Sequence, residues 1–156
     1  MPTASYKGRF TPQNKDKYLG NVKRIIYRSN WERKFMVYCD RNDSIKHWGS
    51  EEVVVRYRNP IDKKLHNYFP DFFVVTEKDK YLIEIKPKAF TIKPKPRSRK
   101  TRAYLNESMA YIKNKAKWGA AKRFCDLQGW KFKILTEDEL GKYLSLIHIS
   151  EPTRPS

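Results

Sequence analysis

Cysteine and acidic residues are both scarce in this 156-residue chain. Cys39 and Cys125 stand far apart, with no C-x-x-C spacing. That excludes a disulfide framework and a Cys-built zinc site, and it fits a reducing compartment. Asp and Glu number 17 against 34 Lys and Arg, a formal net charge of +17. A surplus of that size on a small domain points to a polyanion such as nucleic acid, although charge alone separates neither DNA from RNA nor enzyme from binder. No apolar run approaches the ~20 residues of a membrane-spanning helix. The start, Met1-Pro2-Thr3-Ala4-Ser5-Tyr6-Lys7, has no apolar stretch behind its charges and does not read as a secretory signal. Glycine is limited to 6 residues, with no glycine-rich phosphate loop, so no nucleotide cofactor is expected. Aromatic residues are plentiful at 14%, which argues for a folded core, and the length suits one domain.

Residues 1–20 read as a basic N-terminal arm, laid on the body through Tyr6, Phe10, Tyr18 and Leu19. Val22 to Tyr27 fits a short helix or a strand equally well. Ser29-Asn30-Trp31-Glu32 matches a capping box, and Phe35, Met36 and Cys39 follow at helical spacing, so a helix is expected over about 30–41. The middle of the chain reads as antiparallel sheet. Glu51 to Arg58 is one strand, Asn59-Pro60-Ile61-Asp62 a turn, and His66 to Val75 with Lys80 to Lys86 a hairpin. From Lys86 to Arg102 come basic residues and prolines without an acid, an extended and mobile loop by composition. Leu105, Met109, Ile112, Ala116, Ala120, Phe124 and Leu127 then form one apolar stripe of a long helix, expected as core and stopped by Gly129. Trp130 to Leu135 reads as a last strand and Thr136 to Leu140 as a short helix. The expected fold is a single α/β domain over 21–143, a mixed and largely antiparallel sheet flanked by helices. Residues 144–156 resemble translated sequencing-adapter DNA joined to a truncated gene and are set aside as a non-native tail.

The hairpin is the informative part of the sequence. Side chains alternate along Tyr81-Leu82-Ile83-Glu84-Ile85-Lys86, so Glu84 and Lys86 share a face with Leu82. A turn centred on Glu77-Lys78 sets Thr76 opposite Asp79, Phe73 opposite Leu82, and Asp71 opposite Glu84. Two carboxylates directly opposite repel by up to ~1 kcal/mol in a plain sheet. Mg²⁺, which takes hard oxygen ligands, would compensate, and Lys86 would then hold water or phosphate. The rival reading is a solvated outer face on an edge hairpin.

Pro70-Asp71 followed, after twelve residues, by Glu84-Ile85-Lys86 resembles the signature of the PD-(D/E)xK nuclease superfamily. Tyr27-Arg28-Ser29-Asn30-Trp31-Glu32, Trp48-Gly49-Ser50-Glu51 and His66 to Phe72 are similar to the head completion nucleases of tailed bacteriophages and to the N-terminal domain of TnsA transposon endonucleases. The resemblance implies a restriction-endonuclease-like fold and Mg²⁺-dependent hydrolysis of DNA phosphodiesters, with Mn²⁺ as a substitute. It implies metal ligation by Asp71, Glu84, the Ile85 carbonyl and Glu32, and a charge-stabilising role for Lys86. Glu32 has a rival role in the capping box. The resemblance also implies a virion and host-cytoplasm setting, with DNA and portal or head proteins as partners. A TnsA-type transposon subunit and a non-catalytic DNA-binding head-closure protein are the alternatives.

Lys88, Lys93, Lys95, Arg97, Arg99, Lys100 and Arg102 leave the active strand and are expected to contact DNA phosphates. Lys113, Lys115, Lys117, Lys122 and Arg123 on the long helix read as DNA contacts or as a solvated face. Trp48, Trp118 and Trp130 are expected in packing, and His66 in a structural hydrogen bond.

Overall fold

A computed structural model of the protein describes residues 7–142, so Tyr6 and the tail at 144–156 lie outside the described residues. Its local signals begin with Ser29. The Ser29 hydroxyl accepts the Glu32 N–H at 3.1 Å, and the Glu32 carboxylate accepts the Arg28 N–H at 3.0 Å. This cap reaches back one residue further than the usual box and starts helix α1, Asn30–Arg41. Before it, residues 22–27 take both of the forms open to them, a 3₁₀ turn at Val22–Arg24 and a strand at Ile26–Tyr27. That strand, β2, pairs with β1, Gly8–Arg9.

The central sheet is built from β3 (Ile45–Ser50), β6 (Phe72–Thr76), β7 (Lys80–Ile85) and β8 (Lys131–Leu135), in that order. The first two junctions are antiparallel and the last is parallel. Phe73 pairs with Leu82 and Val74 with Tyr81, the register set by the four-residue turn. A separate hairpin joins β4 (Val55–Arg58) to β5 (Leu65–Tyr68), and its β4 strand packs on helix α2, Arg102–Gln128. The architecture is mixed α/β, with a largely antiparallel sheet between helices.

Four expectations are corrected. His66 to Val75 is two strands, because Phe69-Pro70-Asp71 interrupts the pairing and sends β5 and β6 into different sheets. Glu51 to Arg58 pairs only from Val55, since Glu51 turns the chain at φ +55°. The long-helix stripe is core only in part: Ala116, Ala120 and Phe124 pack inward, while Leu105, Met109, Ile112 and Leu127 are exposed. The buried face is set by Trp118, Ala121 and Cys125, where β4 and β7 meet the helix. Strand β3 was not expected at all. Between β7 and α2 the chain is not wholly extended, since Lys88–Thr91 forms a 3₁₀ turn.

The sheet separates two cores. Phe35, Met36, Trp48, Phe72, Val74 and Ile83 fill the α1 side, while Leu82, Trp118, Ala121, Tyr57 and Tyr68 fill the α2 side. Gly129, at φ +78°, ends α2 in a left-handed cap that glycine adopts without steric cost. Residues 10–20 belong to the packed body: Tyr18 is buried against Trp48, and Asp40 of α1 ties the preceding turn. The Asp40 carboxylate accepts the N–H groups of Gln13 and Asn14 at 2.9 and 3.0 Å. Asp40→Ala strands both donors and is expected to lower stability by about 2 kcal/mol, measured by urea unfolding, with faster tryptic cutting at Lys15 and Lys17.

Candidate active site

The start of β6 and the end of β7 place two acids side by side. Continuing the hairpin register past Phe72 and Ile83 sets Asp71 opposite Glu84, both on the face of the sheet that α2 covers. The Ile85 N–H donates to Asp71 Oδ2 at 2.8 Å, and the Tyr68 hydroxyl donates to Glu84 Oε1 at 2.6 Å. Glu84 is 8% exposed, an unusual state for a carboxylate. Lys86 Nζ lies 3.8 Å from Glu84 Oε2. Its backbone N–H donates to the Leu135 carbonyl at 3.0 Å, so strand pairing continues to Lys86 and Pro87 bends the chain only afterwards.

Burial and mutual repulsion act together on the acids. Loss of water pushes the Asp71 carboxyl well above its ordinary range, and the Glu84 charge adds to the effect. Glu84 is also raised by burial, against the opposing pull of the Tyr68 hydrogen bond, Lys86 and Lys117. Glu32, at the N-terminus of α1, is raised by burial and by the like charge of Glu51.

The structure thus joins Asp71, Glu84, Ile85 and Lys86 at one strand end. Glu32 acts on the two acids through space while its carboxylate caps α1. Among the described residues no three or more His, Cys, Asp or Glu side chains form a group able to hold a metal, so Glu32 does not complete such a set with Asp71 and Glu84. The remaining donors still suit a Mg²⁺-like ion, which commonly takes one or two carboxylates and fills its other positions with water and phosphate oxygens. The expected DNA contacts, Lys88, Lys93, Lys95, Arg97, Arg99, Lys100 and Arg102, are all exposed on the chain leaving β7. Two of them are also engaged locally: Lys88 Nζ lies 3.6 Å from Asp138, and Arg97 lies 3.8 Å from Glu107. His66 bonds Asp62 at 2.7 Å, the structural role expected of it.

Three neighbours were not placed beside the acids by sequence reasoning. Tyr68 reaches Glu84 from a different sheet, a contact no local pattern contains. Lys117, read from the sequence as a DNA contact or part of a solvated face, projects from α2 beside buried Trp118. Glu51, paired with Arg28, donates its backbone N–H to the Asp71 carbonyl at 3.1 Å from a left-handed conformation uncommon outside glycine.

Residues 42–137 match the family described as TnsA-like endonuclease N terminal. The chain is 40% identical over 141 residues to the head completion nuclease of Enterobacteria phage T4, covering 87% of this chain and 94% of that protein. No solved structure matches.

A raised native carboxyl pKa means that the folded state holds its proton more tightly than the unfolded chain. Metal-free protein should therefore lose stability as pH rises from the ordinary carboxylate range through the native Asp71 titration. Asp71→Asn removes that penalty. In chelator at pH 8 the variant should melt at least about 3 °C above the parent, a shift that ~1 kcal/mol produces in a domain of this size, and the gap should close near pH 4.

Proposed function

The chain belongs to the TnsA-like N-terminal endonuclease family, and from that membership we propose that it cuts DNA phosphodiesters with a divalent metal, Mg²⁺ or Mn²⁺, at phage head completion. The observation that supports this most is the desolvated pair Asp71 and Glu84, with Lys86 on the same strand end and an exposed basic segment beginning beside it. A protein that only coats nucleic acid has no use for two buried acids.

In this reading Asp71, Glu84 and the Ile85 carbonyl hold the metal. Bound there, a divalent cation supplies a Lewis acid that neutralises phosphate charge and makes water a better nucleophile. Tyr68 and the Ile85 N–H fix the two carboxylates, so each presents its second oxygen without reorganising. Lys86 faces the phosphate and stabilises the negative charge that grows as the water oxygen bonds to phosphorus and the bond to the 3′ oxygen breaks. The water's proton leaves to solvent and the 3′ oxygen gains one. Glu32 serves at longer range, orienting water. The basic segment from Lys88 to Arg102 grips the backbone without reading sequence.

The head-completion setting is favoured over a transposon subunit because similarity to the phage protein runs over nearly all of that protein's length. It carries a virion and host-cytoplasm location, with DNA and portal or head proteins as partners.

Purified protein should nick supercoiled plasmid in Mg²⁺. Asp71→Ala or Glu84→Ala should abolish cutting while salt-sensitive DNA binding persists, and Lys86→Ala should slow it about 10²–10³-fold. Full cutting by both acid variants would discard the site. Glutamine at Lys93, Lys95, Arg97, Arg99 and Lys100 should flatten the dependence of log affinity on log salt by about 0.9 for each DNA phosphate that is no longer neutralised.

A further inference from the structure

Lys117 stands on α2 with its ammonium over two aromatic faces, 5.9 Å from the centre of the Tyr57 ring and 5.7 Å from that of Tyr68. Both tyrosines are buried and come from the β4–β5 hairpin, which packs on α2. The Tyr68 ring that supports Lys117 also carries the hydroxyl bonded to Glu84. One tyrosine therefore fixes an acid of the site and a second cation beside it. Lys117 is half-buried, and it acts on Glu84, Lys86 and Asp71 through space. The described residues give it no carboxylate within ion-pair distance, and rings hold its ammonium in place.

Charge balance gives this position a purpose. Leaving aside Glu32, which acts at longer range, Asp71 and Glu84 against Lys86 and Lys117 sum to zero. A divalent metal brings two positive charges, and a phosphodiester one negative charge, which becomes two as the nucleophile adds. With both lysines these four groups, the metal and the phosphate balance when that second charge has developed; with Lys86 alone they are one positive charge short. Resting on the nuclease reading above, we propose that Lys117 is a second phosphate-directed cation, contacting a non-bridging oxygen of the scissile phosphate and stabilising the charge that appears during attack. The aromatic clamp holds the ammonium over the ring of the tyrosine that bonds Glu84, without an ion pair that would have to break first.

The test is single-turnover cleavage of plasmid by Lys117→Met, which keeps the stem against the two rings, and by Lys117→Arg, with Asp71→Asn in parallel. Lys117→Met should fold with unchanged melting in Mg²⁺ and bind DNA within about threefold of the parent. It should cleave about a hundredfold more slowly at every Mg²⁺ concentration, with the half-saturating concentration unmoved. Lys117→Arg should recover most of the rate. Parental cleavage by Lys117→Met overturns the proposal. So does a slowing that is explained by a shifted Mg²⁺ requirement, which would make Lys117 a counter-ion of the acids. In either case inactivity of Asp71→Asn keeps the nuclease site standing, whereas full cutting by Asp71→Asn removes that site and this proposal with it.

Discussion

Two carboxylates set against each other across neighbouring strands, out of bulk water, oppose the folding of any sheet. Here the rest of the domain is arranged around that conflict. The Ile85 N–H and the Tyr68 hydroxyl give each acid one strong partner, while Lys86 and Lys117 lend positive charge from a strand and a helix. None of these four groups removes the repulsion, and both acids keep raised pKa values. Burial and mutual repulsion together make the pair costly to ionise, a cost that an added cation would reduce.

The two faces of the sheet divide the labour. On the α1 side, tightly packed aromatics around Trp48, Phe35 and Phe72 give rigidity. On the α2 side, Ala120 and Ala121 let the helix approach closely, and the space beyond them is taken by Tyr57, Tyr68 and Lys117 near the acids.

Sequence made part of this legible. Alternation along Tyr81 to Lys86 and the four-residue turn were enough to place Asp71 against Glu84, and Ser29 marked the start of α1. What stayed hidden did so for physical reasons. Ile45 to Ser50 hides its strand character because a bulge between Ile45 and His47 breaks the period and Gly49 adds no side chain to the pattern. Pro70 splits what looked like one strand, and the pairing partners of the two pieces are set by distant segments. The apolar stripe of α2 was misread because burial there follows what packs on the helix, and little does before Lys113. Tyr68 and Lys117 join the site through contacts between elements, which no single stretch of chain encodes.

The Leu135 carbonyl that receives the Lys86 N–H lies in the last strand, nearly fifty residues beyond the lysine, across the whole of α2. During synthesis on the ribosome, the acids and the lysine emerge long before the strand that seats the lysine. The nascent domain therefore cannot complete the strand end that carries Glu84 and Lys86 until α2 has crossed over and β8 has docked. Completion of the polypeptide is thus a precondition for the geometry at the end of β7, whatever the rate at which the earlier strands pair.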